Sequence, residues 1–84
     1  MKDKAIVEFF NSETNQTFEL EIPLNITAND LIVAINDIYH LDMDIDNIFF
    51  CYLIAENPIA FIRGSKELRE FGIHNGTKII YKRS

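Results

Sequence analysis

The stretch that decides the fold is Thr27-Ala-Asn-Asp-Leu-Ile-Val-Ala-Ile-Asn-Asp-Ile-Tyr39. Leu31, Ile35 and Ile38 recur at i, i+4 and i+7, and Ile32 and Tyr39 widen the stripe. Asn29, Asn36 and Asp37 fall on the other side, so the segment reads as an amphipathic helix laid on a sheet. The periodicity leaves the direction of Val33 open. Thr27 stands where an N-cap is needed. Asp30, three residues on, completes a Thr-x-x-Asp capping arrangement and puts a carboxylate at the positive end of the helix dipole.

Toward the amino terminus, two segments alternate with period two. Lys4 to Phe10 puts Ala5, Val7 and Phe9 on one face and Ile6, Glu8 and Phe10 on the other. Thr17 to Ile22 turns Phe18, Leu20 and Ile22 inward and Thr17, Glu19 and Glu21 toward water. The polar run 11–16 between them makes the pair a loose β-hairpin, and Pro23, which cannot donate to a ladder, ends it. Toward the carboxyl terminus, Leu41 to Asn47 reads as an acidic loop. Ile48-Phe-Phe-Cys-Tyr-Leu-Ile-Ala55 reads as a strand, being short and rich in β-branched and aromatic residues. Glu56-Asn-Pro58 turns the chain into a short strand, Ile59 to Ile62, closed at Gly64. Residues 66–71 have room for about one turn of helix. Asn75-Gly76 is a turn, because both types tolerate positive φ. Lys78 to Lys82 is the last strand, with Ile79 and Tyr81 inward and Lys78, Ile80 and Lys82 outward.

The order is β-β-α-β-β-β. A right-handed crossover then lays the helix on one face of a mixed sheet of four to five strands, an α+β architecture of the β-grasp type. Length bounds the rest. Eighty-four residues of which 48% are hydrophobic, fourteen of them isoleucine, suffice for one core, so residues 1–84 are expected to form one domain. Three glycines and two prolines exclude collagen-like and low-complexity chains. The longest apolar run, 48–55, is eight residues where a bilayer span needs about 20, so no membrane insertion is expected. The first twenty residues lack a basic-then-apolar leader layout, and the single cysteine, Cys51, can form no bridge within the chain; a reducing cytoplasmic setting is expected.

Two stretches carry a resemblance to the ubiquitin-like domains. Thr17-Phe-Glu-Leu-Glu-Ile-Pro through Thr27-Ala-Asn-Asp-Leu-Ile-Val-Ala-Ile35 is similar to ubiquitin's second strand, proline and capped helix. Leu68-Arg-Glu-Phe-Gly-Ile-His-Asn-Gly-Thr-Lys-Ile79 resembles the family's leucine, tight turn and final strand. The Asn-Gly form and small size look most like the YukD-like, or EsaB-like, bacterial proteins associated with type VII secretion. The resemblance implies a ubiquitin-like β-grasp, a protein partner such as a secretion-machinery component, and a partner-binding surface on the sheet face opposite the helix.

The residues offer little chemistry. The chain ends Tyr81-Lys-Arg-Ser84 where conjugating and sulfur-carrying relatives end in Gly-Gly, so conjugation is not expected. Asp42-x-Asp44-x-Asp46 begins like a calcium loop, but Asn47 stands where the turn glycine belongs and Leu53 where the bidentate glutamate belongs. His40 and His74 have no ligand-type neighbour at metal spacing and read as surface or helix-end residues. Cys51 has no positioned base and reads as a small buried thiol. No metal, cofactor or enzymatic activity is expected.

Charge divides the chain. Residues 1–62 hold eleven acids against Lys2 and Lys4, whereas 63–84 hold six bases against Glu67 and Glu70, within a net charge of −5. That balance argues against nucleic-acid binding, which needs clustered bases. A surface remains. Ile6, Phe10 and Ile80, with alternate members of Phe49, Cys51 and Leu53 and with Lys82 beside them, are expected on the sheet's outer face; which parity of the 48–55 strand points outward is left open because both faces are apolar. The reading is a non-conjugating protein-binding module, a monomer or weak homodimer, with a ubiquitin-like domain excised from a larger protein as the alternative.

Overall fold

The computed structural model describes residues 3–82. Ser84, on which the reading of the tail rests, lies outside the described residues, as do Lys2 and Arg83. Five strands form one sheet: β1 (Lys4–Asn11), β2 (Gln16–Pro23), β3 (Leu53–Glu56), β4 (Ala60–Ile62) and β5 (Lys78–Tyr81). Their order is β2-β1-β5-β3-β4. β1 and β5 run parallel at the centre and every other neighbouring pair is antiparallel. This is the mixed sheet of a ubiquitin-like β-grasp, with helix α1 (Ala28–Tyr39) packed across it.

Helix α1 begins as its sequence requires. The Asp30 amide donates to Thr27 Oγ1 at 3.0 Å and the Thr27 amide donates to Asp30 Oδ2 at 3.2 Å, closing the capping box. His40, at φ 53°, ends it in the left-handed conformation. The buried residues are Ala28, Leu31, Ile32 and Ile35, with Tyr39 partly buried. Ile38, expected within the stripe, is 63% exposed. The stripe centres on the Ala28–Ile35–Tyr39 line, from which Ile38 is turned away by about 80° at 100° per residue, and Ile38 stands in the last turn of the helix.

The expected alternation holds in the hairpin and in β5. Ala5, Val7, Phe9, Ile79 and Tyr81 are buried, and Ile22 joins them from β2. Asn75-Gly76 straps the carboxyl-terminal segment to β1: Asn75 Oδ1 accepts from the Ile6 amide at 2.8 Å, and the Gly76 amide donates to the Ile6 carbonyl at 2.9 Å. Gly76 adopts φ 93°, open to glycine and strained for other residues. Leu68, wholly buried, opens the 3₁₀ turn Leu68–Phe71 expected within 66–71.

The segment 48–55 departs from its reading. Ile45–Phe50 is a 3₁₀ segment kinked at Asn47, so the acidic loop ends earlier than expected, and only Leu53–Glu56 pairs in the sheet. The reason is the number of layers. A strand apolar on both faces needs cover on both, and α1 covers one. The chain resolves the excess by leaving the sheet: Ile48 packs against the core, while Phe49 and Phe50 are about 80% exposed. The last strand also ends one residue early, at Tyr81, leaving Lys82 beyond it.

Candidate functional site

The face of the sheet away from α1 is built by strand parity. Because Leu53 and Ala55 are buried beneath the helix, Ile54 and Glu56 point the other way. The register then aligns one residue from each strand. Thr17 lies beside Phe10, Phe10 beside Ile80, Ile80 beside Ile54, and Ile54 beside Phe61. Four consecutive strands thus contribute Phe10, Ile80, Ile54 and Phe61 to one apolar row, about 14 Å long at ordinary strand spacing. Tyr52 meets Phe61 edge-on, with ring centroids 5.7 Å apart. Ile59, 86% exposed, stands next to β4.

A charged row lies alongside. Glu19 neighbours Glu8, Glu8 neighbours Lys78, and Lys78 neighbours Glu56. The Lys78 ammonium sits 5.3 Å from the Phe10 ring centroid, so this cation borders the apolar row from within the charged one. Ile6, one pleat further along β1 and 47% exposed, stands beside Glu21. An apolar line flanked by mostly acidic side chains can hold a partner's apolar residues and select for cations around them.

Of the residues expected on this face, Ile6, Phe10 and Ile80 are there. Leu53 is not: it is fully buried on the helix side, because β3 takes the parity that leaves Glu56 in water. Cys51 is buried against the core just before β3. Phe49 is exposed, but on the 3₁₀ segment and not on the sheet. Lys82 is exposed past the end of β5. Ile54 and Phe61 were missed. Glu56 is the signal that finds Ile54, since a carboxylate ending a strand fixes which alternate residues share its solvated side.

A second surface lies where Leu41–Tyr52 meets the end of β5. Leu41 and Cys51 are buried, and Met43 and Ile48 pack against the core. The Met43 amide donates to Asn36 Oδ1 at 2.9 Å, and the Tyr81 hydroxyl donates to the Leu41 carbonyl at 3.1 Å. Asn47 Nδ2 donates to Asp44 Oδ2 at 2.7 Å. So held, the segment borders a cleft of about 380 Å³ lined by Asp42, Asp44, Phe50, Tyr52, Tyr81 and Lys82, among others. Burial pushes the Cys51 thiol above its ordinary range, and the Asp44 carboxylate adds to the shift by opposing a second negative charge. That is the reverse of an activated nucleophile. Among the described residues, no three potential metal-binding side chains converge; His40 ends α1, and His74 Nδ1 lies 2.9 Å from the Gly72 carbonyl.

No family model matches the chain, and no curated protein matches it. Solved structures do. A ubiquitin-like domain from tubulin-binding cofactor B superposes with a TM-score of 0.73 at 18% identity, covering 95% of this chain and 89% of that one. The carboxyl-terminal ubiquitin-like domain of mouse tubulin-specific chaperone e gives 0.69 at 10% identity, covering 99% and 91%. The ubiquitin-like domain of yeast Ddi1 gives 0.65 at 16% identity, covering 100% and 95%. At these identities the likeness concerns the fold, and the fold is ubiquitin-like.

Proposed function

We propose that this ubiquitin-like chain is a non-conjugating protein-binding module that docks a partner through the outer sheet face and makes or breaks no bond itself. The observation that carries the reading is the row Phe10–Ile80–Ile54–Phe61, four apolar side chains aligned across four strands on a sheet face that, when solvated, ordinarily carries polar ones. The resemblance of its Asn-Gly form and small size to the YukD-like proteins extends the proposal: a cytoplasmic accessory or regulator of a bacterial type VII secretion system, with a secretion-machinery component as partner. A second reading, a ubiquitin-like domain of a larger protein used as a scaffold contact, is favoured by the matched structures above being domains taken from larger proteins.

The test is capture from the native host with the wild-type chain and with Ile54→Asp and Ile80→Asp, followed by mass spectrometry and by affinity measurement on the purified partner. The module reading expects at least a tenfold loss in both variants while helical circular dichroism is unchanged. Undiminished affinity in both variants would refute the sheet face as the docking surface. Recovery of secretion-machinery proteins by the wild type, lost in the variants, supports the narrower assignment. An adduct after incubation with an activating enzyme and ATP would refute the non-conjugating reading.

A further inference from the structure

We propose a second docking surface, bordering the sheet face at Tyr52, at the cleft between the 45–50 3₁₀ segment and the end of β5, and we infer that its occupant is a basic amphipathic segment of a partner protein. Phe49 and Phe50 stand 80% and 82% exposed on a segment that buries none of its own six residues fully. Two adjacent phenylalanines held in water are unfavourable unless something covers them. They are not on a slack loop. Leu41, Met43, Ile48 and Cys51 pack the chain against the core, the Asn36 and Tyr81 side chains hold the backbone at Met43 and Leu41, and the Asn47 side chain ties that of Asp44. The surface is therefore preformed, so a partner is spared the cost of ordering it.

Charge selects the occupant. Asp42 and Asp44 line the cleft beside Phe50, and Asp46 is exposed on the same 3₁₀ segment. Among the described residues no ion pair joins any of these carboxylates to a cation; the ion pairs there run from Arg69 to Asp3 and Glu67. Among the described residues Lys82 is the cation that lines the cleft, at its β5 side. An apolar anchor seated against Phe50 and Tyr52, with lysines or arginines facing Asp42 and Asp44, satisfies both features. An anionic membrane or a nucleic acid would meet three carboxylates instead. A second copy of this chain presenting this same surface in a two-fold contact would meet the same repulsion.

The probe is a dansyl-labelled synthetic peptide of leucine and lysine, about four turns long as a helix with leucine on one face. Two controls replace leucine by serine or lysine by glutamate. Binding is read by anisotropy, and its location by amide chemical-shift changes on the whole chain. The proposal expects saturable binding with shifts in residues 42–52 and 81–82. Affinity should fall at least tenfold in Phe50→Ser and in the Asp42→Asn/Asp44→Asn double variant, and at least tenfold for each control peptide. Ile80→Ser should bind as the wild type does. No saturable binding overturns the proposal. So do equal binding of the serine peptide, shifts confined to Phe10, Ile54, Ile80 and Phe61, or self-association that Phe50→Ser abolishes. The sheet-face reading stands or falls independently, since its own variants leave this cleft intact.

Discussion

Phe9, Phe18 and Tyr39 form one aromatic group and Phe49 and Phe50 another, and the same kind of side chain meets opposite fates in the two. The Phe9 ring lies 5.2 Å from Tyr39 and 6.4 Å from Phe18, and Phe18 lies 4.7 Å from Tyr39, all centroid to centroid. This group joins β1, β2 and the last turn of α1, and Phe9 is wholly inaccessible. The other two rings sit on a segment outside the sheet and reach solvent. The difference teaches that hydrophobicity alone does not place a residue here. Each of the first group belongs to an element with a fixed period whose apolar side meets another element, whereas Phe49 and Phe50 sit on a segment that has left the sheet, with no second layer over them.

The sharpest break of this contrast is truncation on each side. Phe9→Ala should cost about 3–5 kcal/mol, from lost transfer energy and the cavity left behind. A chain of this length holds about 4–13 kcal/mol in total, so much of its stability goes with that ring. Phe50→Ala should change stability by less than about 0.5 kcal/mol, as exposed positions do. Urea titration of both variants checks it. Equal losses would show that Phe50 is buried in solution and would remove the basis of the second docking surface.

One residue of parity separates a core position from a docking position in β3, and this is the next largest effect. Leu53→Ala should cost about 2–5 kcal/mol because Leu53 is fully buried. Ile54→Ala, half-buried in the outer row, should cost less than about 1 kcal/mol and act on partner affinity instead. If the costs are reversed in denaturant titrations, the strand is paired one residue out of register, and the row Phe10–Ile80–Ile54–Phe61 does not exist.

These pairs also mark where the sequence is readable. The capped helix, the hairpin parity, the Asn75-Gly76 turn and the parity of β5 follow from local rules: a cap satisfies free amides, alternation separates core from water, and glycine accepts φ 93°. Ile6, Phe10 and Ile80 were legible for the same reason. Ile48 to Ala55 was not, because an unbroken apolar run has no period. Its division into Ile45–Phe50 and Leu53–Glu56 depends on how many layers the finished domain has, which no window of eight residues contains. Leu53, Cys51 and Phe49 were expected on the outer face through that one run, whereas the reading of Cys51 as a small buried thiol holds. Phe61 escaped notice because β4 is three residues long and its neighbour in the row is set by pairing with β3.

Cys51 sits at the border of the two regions, one residue after the bare Phe50, and gives the finest measure of where burial begins. Its Sγ lies 3.4 Å from the Asp44 carbonyl, and both burial and the Asp44 carboxylate hold the thiol above the 9.0 of a free cysteine. A folded-state value raised above the unfolded one means that the folded chain keeps its proton longer. The associated stability is complete below about pH 9 and is lost as pH climbs through the folded value, where the unfolded chain already gains by ionising. The gap in unfolding free energy between wild type and Cys51→Ala should therefore narrow from pH 7 to pH 10, since the alanine variant lacks this loss while sharing every other titration. A thiol reagent at pH 8 should likewise label the native chain at least tenfold more slowly than the urea-unfolded one. Native labelling at the unfolded rate would move the border inward by a residue, put Cys51 among the exposed side chains of the cleft, and leave Leu53 as the first residue of this segment that the core protects.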